Sequence, residues 1–219
     1  MLPLRLDQLR EKLRHFAAGA PLARAGRTFV PAPPWLARAL PDGGFPIGVT
    51  ELSSRAALGG TTLILSQAIA LAQREPEVSC AWVDPEGTLH APGLMQQGVE
   101  LQRLLVVQPP RARLQAISVR IARSGAVALL AVDFHPVGGK SPPPPPRQQE
   151  DRWVRRLQLA CEEGSTAALL VTDARVKQAA MLPVALKVQL EHVAPSRMLV
   201  TVLKERSGRV GQSMEVEFP

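Results

Sequence analysis

The chain of 219 residues has no tyrosine, five phenylalanines and three tryptophans. So few rings cannot fill an interior, and the core must be aliphatic: leucine, valine, alanine and isoleucine. Cysteine is almost as scarce. Cys80 and Cys161 stand alone in apolar stretches. They exclude a disulfide framework and a cysteine-based zinc site, and read as buried free thiols. His15, His90, His135 and His192 show no metal-ligand spacing, so no metal site is expected. No apolar run reaches the ~18–20 residues that span a bilayer. The N-terminus is amphipathic and charged rather than a secretory apolar stretch. A cytoplasmic chain without membrane contact is expected. Ser53-Ser54 lacks the G-x-S-x-G frame of a nucleophile elbow, which excludes that class of serine hydrolase.

What is present is a foldable composition, 46% hydrophobic and 21% charged. Its length suits one domain with a short appendage. The net charge of +7 suits an anionic partner such as nucleic acid, although a basic surface also serves solubility.

Leucines 6, 9 and 13 and Phe16 recur at spacings of three and four, predicting an amphipathic helix over 4–18. Residues 19–34, rich in Gly, Pro and Ala, read as a linker arm. That divides the chain into an N-terminal helix and arm, 1–34, and a core domain, 35–219. Within the core, strands are predicted at 47–52, 79–84, 104–108, 126–133 and 166–172. Helices are predicted at 35–40, 61–73, 92–97, 114–123 and 151–162. Strands that are apolar throughout and alternate with helices predict a parallel sheet covered on both faces. The tail, with strands at 185–192, 198–205 and 214–218, reads as antiparallel. The fold class is α/β, a mostly parallel central sheet flanked by helices. A polyproline tract, Pro142–Pro146, interrupts the pattern as a surface loop.

Sheets of this kind bind ligands beyond the carboxyl ends of their strands. There the sequence places the stretch from Glu51 to Leu63, between a strand and a helix. That is where a phosphate-binding loop, G-x-x-x-x-G-K-[ST], belongs. The frame here is Ser54-x-x-x-x-Gly59-Gly60-Thr61, followed by Thr62. Serine replaces the first glycine, and Gly60 replaces the lysine that reaches the β/γ-phosphates.

Several further segments agree in order and spacing with one family. Gly43-Gly-Phe-Pro-Ile-Gly48 is similar to G-G-L-P-x-G. Trp82-Val-Asp-Pro-Glu-Gly87 resembles a second strand ending in D-x-E. Residues 94–109 resemble L-G-V-x-x-x-x-L-L-x-x-Q-P, and Leu130-Ala-Val-Asp133 resembles the approach to a Mg²⁺-side acid. From Leu36 onward the chain resembles the RecA recombinase core, which implies a RecA-like fold. A short core of this kind with a ruined phosphate loop is most similar to the ImuA family of the RecA/SulA-like group, associated with error-prone translesion synthesis.

The resemblance carries over residue by residue. Thr61 keeps the Mg²⁺-side hydroxyl, and Asp133 keeps the strand-end acid. Glu86 falls on the water-activating carboxylate. Lys204 and Arg206 fall on the pair that reaches a neighbouring subunit's nucleotide. Thr172-Asp173 replaces N-Q, so the glutamine that senses the γ-phosphate is gone. The DNA-contact loops correspond to the Pro-rich insertion, with Lys140 and Arg147, and to a short segment carrying Arg175 and Lys177. Losing a preorganised cationic clamp costs on the order of 10²–10³ in rate. The expectation is therefore a vestigial nucleotide site with weak or absent ATP/Mg binding, and no catalysis.

Two functions compete. One is a non-enzymatic accessory protein of SOS-induced translesion synthesis, bridging ImuB and RecA with DNA as a third contact. In it, Leu6, Leu9, Leu13 and Phe16 form the partner-binding face. The other is a working ATP-dependent RecA-like DNA-binding ATPase with an unusual loop. A SulA-like inhibitor of cell division shares the fold relationship. Two further features are open. Trp153, among Arg152, Arg155 and Arg156, can stack a base or pack on the sheet. Arg111, Arg113, Arg120 and Arg123 form a basic helix face whose default role is solvation.

Overall fold

A computed structural model describes residues 8–9, 11–14, 29–54, 60–134, 147–174, 182–206, 208 and 210–219, with the side chains of 147–150 excepted. The described strands are β1 (Phe29–Pro31), β2 (Gly44–Pro46), β3 (Gly48–Ser54), β4 (Cys80–Val83), β5 (Leu104–Val107), β6 (Leu129–Asp133), β7 (Ala167–Asp173), β8 (Leu186–Ala194), β9 (Arg197–Glu205) and β10 (Ser213–Glu217). The α-helices are α1 (Pro34–Ala37), α2 (Thr61–Ala72), α3 (Ala91–Gln96), α4 (Arg111–Arg123) and α5 (Arg147–Gly164).

Eight strands form one sheet in the order β10-β9-β8-β3-β7-β6-β4-β5. All pairings from β8 to β5 are parallel. Those of β8 with β9 and β9 with β10 are antiparallel. This is the predicted α/β arrangement, and the reason is visible in the strands. Successive residues point to opposite faces, and both faces of the parallel strands are buried. Leu52, Cys80, Trp82, Leu129, Ala131, Leu169 and Val171 enter one core with Ile64, Leu65 and Ile69 of α2. Val49, Ala81, Val83, Leu130, Val132, Ala168 and Leu170 enter a second core with α4 and α5. Aliphatic residues supply nearly all of both. The two thiols are buried and free, and burial, helped by the charge of Glu162, pushes the Cys161 thiol up to about 12.

Arg103 fixes the C-terminal end of α2. Its guanidinium donates to the carbonyl oxygens of Gln73, the C-cap of the helix, and of Glu75 and Val78 in the turn that follows, which helps satisfy the acceptors a helix end leaves over. Glu100 holds the guanidinium in place, and that hydrogen bond keeps the Glu100 carboxyl below the usual range.

Two sequence expectations change. Residues 29–31 are not a linker arm: Phe29–Pro31 pairs antiparallel with Gly44–Pro46, and Val30 and Ala32 lie in the first core. The arm's proline-rich composition hid two good strand formers, Phe29 and Val30. Residues 8–9 and 11–14 are helical as predicted. However, Leu9 and Leu13 are 1% and 5% exposed and belong to the second core of this same chain. They are therefore spent in cis rather than presented to a partner. Leu6 and Phe16 lie outside the described residues. No helix among the described residues is long and apolar enough to cross a membrane.

Candidate nucleotide site

The carboxyl ends of β3, β7, β6 and β4 lie side by side. Strands sit about 4.8 Å apart, so the acid ending β6 is about 10 Å across the sheet from the end of β3, and the β4 loop about 14 Å. β3 places Ser54 at its last position, in register with Asp173 of β7. Residues 55–59, including Gly59, lie outside the described residues. The chain resumes at Gly60, the N-cap of α2, with φ 72° and ψ 0°. Its carbonyl accepts from Ile64 N at 2.9 Å. Thr61 and Thr62 open the helix, and Ser66 Oγ donates to the Thr62 carbonyl.

Gly60 is the decisive position. Its backbone is left-handed, a conformation open to glycine and strained for other residues. A Cβ built there would stand 2.6 Å from Met198 Cε and 3.8 Å from His192 Nε2. β8 and β9 thus bring two side chains against the place where a phosphate-loop lysine would start. His192 itself lies edge-on to Phe218, with ring centroids 5.3 Å apart.

The acids around the loop are not equivalent. Asp84, fully buried, accepts from Leu89 N at 3.1 Å and Thr88 Oγ1 at 3.4 Å. It anchors the turn after β4. Glu86 is exposed, and its Oε1 accepts from Arg111 Nε and Nη2 at 2.7 and 2.6 Å. The carboxylate in the water-activating position is thereby held by the first residue of α4. Asp133 and Asp173 are half-buried at the ends of β6 and β7. Lys204 and Arg206 stand elsewhere. β9 runs antiparallel, so its last residues lie at the amino ends of the parallel strands, opposite the loop. There Lys204 Nζ donates to the Leu182 carbonyl at 2.9 Å, and Arg206 pairs with Glu162 of α5 at 2.8 Å. Neither touches this chain's own described loop residues.

Sequence reasoning missed a polar cluster inside the sheet. Glu51 of β3 is fully buried. Its Oε1 accepts from Thr172 Oγ1 at 2.8 Å, and its Oε2 lies 3.3 Å from Lys187 Nζ. The signal was available: one acid in V-T-E-L and one base in L-K-V, each inside an otherwise apolar strand. Only the strand order, with β8 beside β3 in register Glu51 to Lys187, joins them.

Trp153 packs inward at 4% exposure, against Phe134 with centroids 5.1 Å apart, so it does not stack a base. Lys140, Arg175 and Lys177 lie outside the described residues. Arg147 opens α5, with its side chain outside them. No group of His, Cys, Asp and Glu among the described residues could hold a metal ion.

The RecA N-terminal domain family matches residues 32–137. The chain is also similar to the crystal structure of the RadB recombinase. The TM-score is 0.61 at 15% identity, covering 79% of this chain and 88% of that one. This is a RecA-like fold. In this sheet Ser54 at the end of β3, Asp133 at the end of β6 and Glu86 after β4 lie at the carboxyl ends of parallel strands. Gly60 stands where the sequence resemblance puts the phosphate-loop lysine. A shared fold does not bring an activity with it, so the function has to be argued from that position.

Proposed function

We propose that this chain is a non-catalytic RecA-like accessory protein of SOS-linked, error-prone lesion bypass, of the ImuA kind. It bridges ImuB and RecA, with DNA as a third contact. The observation that carries the loss of catalysis is Gly60. Glycine at this position carries no cationic side chain to meet a triphosphate, and its backbone holds a conformation that a lysine strains to adopt. Charge-assisted contacts to phosphate are the strong ones, and a bare helix N-terminus is a weaker substitute. Phosphate-loop chemistry is thus reduced while the scaffold remains, which suits a protein that binds partners through a RecA-like surface. The chain's +7 charge supports the DNA contact, and its similarity to the RadB recombinase agrees with a place in DNA transactions.

The burial of Leu9 and Leu13 in cis moves the partner surface away from that helix's apolar stripe. The test is purification with ImuB and with RecA, pull-down of each, and ATP turnover with and without single-stranded DNA. Co-purification without turnover above background is expected. DNA-stimulated turnover that disappears in Glu86→Ala would instead establish a working ATPase.

A further inference from the structure

We propose that the arginine-lined cleft between the N-terminal helical segment, α4 and α5 is a docking site for an acidic peptide segment of a partner protein. The cleft has a volume of about 510 Å³, and arginines from three elements converge on it: Arg14, Arg120 and Arg123, and Arg156. It lies where α4 ends and leads to the amino end of β6, so it is separate from the loop after β3 and stands without the reading of that loop.

Helix geometry explains part of the convergence. Ala116, Arg120 and Arg123 recur at four and three residues, which puts them on one stripe of α4. Arginines in the last turn also suit the helix dipole. That does not account for Arg14 and Arg156, which come from other elements, nor for the state of Arg120. Arg120 Nη1 is buried and has no hydrogen-bond partner among the described residues. The adjoining acids of α5 are already taken, Glu163 by Arg123 at 2.6 Å and Glu162 by Arg206 at 2.8 Å. A buried guanidinium nitrogen without an acceptor is costly, and an inserted oxygen relieves that cost.

The lining selects among anions. Leu13, Ala116 and Val119 give the cleft an apolar floor, useful to an aliphatic side chain and useless to a phosphodiester. Among the described residues no aromatic side chain lines it, so they offer no platform for stacking a base. Its size takes two or three side chains rather than a duplex. Guanidinium groups pair carboxylates in a bidentate fork. Carboxylates interleaved with leucine-like residues match walls and floor together.

The experiment is fluorescence anisotropy on the full chain with a labelled peptide of five Glu-Glu-Leu repeats. A Gln-Gln-Leu repeat and labelled oligo-dT of equal length serve as comparisons. The acidic peptide should bind and the glutamine peptide should not. Arg120→Gln and Arg156→Gln should each weaken binding about tenfold, the effect of one charge-assisted hydrogen bond. Arg197→Gln, whose partner is Glu215 on the antiparallel strands, should leave binding unchanged. Arg120→Gln should also melt at or above the wild-type temperature, since it removes an unpartnered buried group. Arg156 is exposed, so its variant reads out binding even if Arg120→Gln folds poorly. Absence of acidic-peptide binding to wild type, or equal binding by the Arg156 variant, overturns the proposal. So does oligo-dT that displaces the peptide and is itself lost with the same arginines, which would make this a nucleic-acid site.

Discussion

A lysine at position 60 would start from a backbone with φ 72° and with Met198 Cε 2.6 Å from its Cβ. Leaving glycine in the left-handed region costs a side-chain-bearing residue about 1–2 kcal/mol, and Met198 must also swing away. Gly60→Lys restores the phosphate-loop letter without its geometry. The expected outcome is a destabilised protein that still fails to bind Mg-ATP tightly. Thermal melting and a titration with fluorescent ATP check both halves. Tight binding by this single variant would show that the loop had kept its shape and lost only its charge. Glu51 and Lys187 make a second argument at this scale. Both are nearly excluded from water, so removing one partner leaves an uncompensated buried charge. Lys187→Met should destabilise by about 3–5 kcal/mol, whereas Glu51→Gln with Lys187→Met should recover most of that loss. Urea denaturation of the two variants separates a pair needed for stability from one that only specifies strand order.

Among the elements, the N-terminal helical segment is the one whose role changes most between sequence and structure. The periodicity of Leu9 and Leu13 is enough to predict a helix with one apolar stripe. It is silent on which surface the stripe covers, because an i, i+4 pattern is satisfied equally by a partner and by the chain's own α4 and α5. The second core supplies the answer in cis. Leu13→Asp should therefore act as a core substitution. It buries an unpaired carboxylate and loses apolar contact, on the order of 3–5 kcal/mol, measured as a lower denaturation midpoint of the whole domain. If the domain melts unchanged while partner pull-down fails, the leucine faces a partner after all. The strands show the opposite balance. Runs such as Leu129-Leu-Ala-Val-Asp133 have one solution, burial on both faces of a parallel sheet, so their existence and direction are legible without coordinates. Their ends are less so: residues 126–128 are as buried as β6 but precede it as an extended connection. The β1–β2 ribbon was illegible because three residues next to prolines carry no alternation to read.

At the scale of the whole molecule, the order of motifs along the chain made the RecA-like sheet legible, since the loop, the D-x-E turn and the strand-end acid occur at the spacing that one topology requires. The local state of the loop was not legible. The sequence resemblance puts Gly60 where a phosphate-loop lysine belongs. Only the packing of β8 and β9 shows Met198 filling the neighbouring space. The Glu51–Lys187 contact and the arginine cleft share that character, each joining residues more than a hundred positions apart. These features lead to one measurement on the intact chain. A ligand that binds only the folded state stabilises it by RT ln(1 + [L]/Kd), about 4.1 kcal/mol when the ligand is at a thousand times its Kd. A functional RecA-like site saturated with millimolar Mg-ATP should therefore raise the melting temperature by several degrees. With Gly60 in its left-handed turn, the expected shift is under about one degree, no larger than that given by the same concentration of Mg-pyrophosphate, which an anion-attracting helix N-terminus treats alike. A large shift specific to ATP would place a working nucleotide site in this chain, and the accessory role would then have to be rebuilt around it.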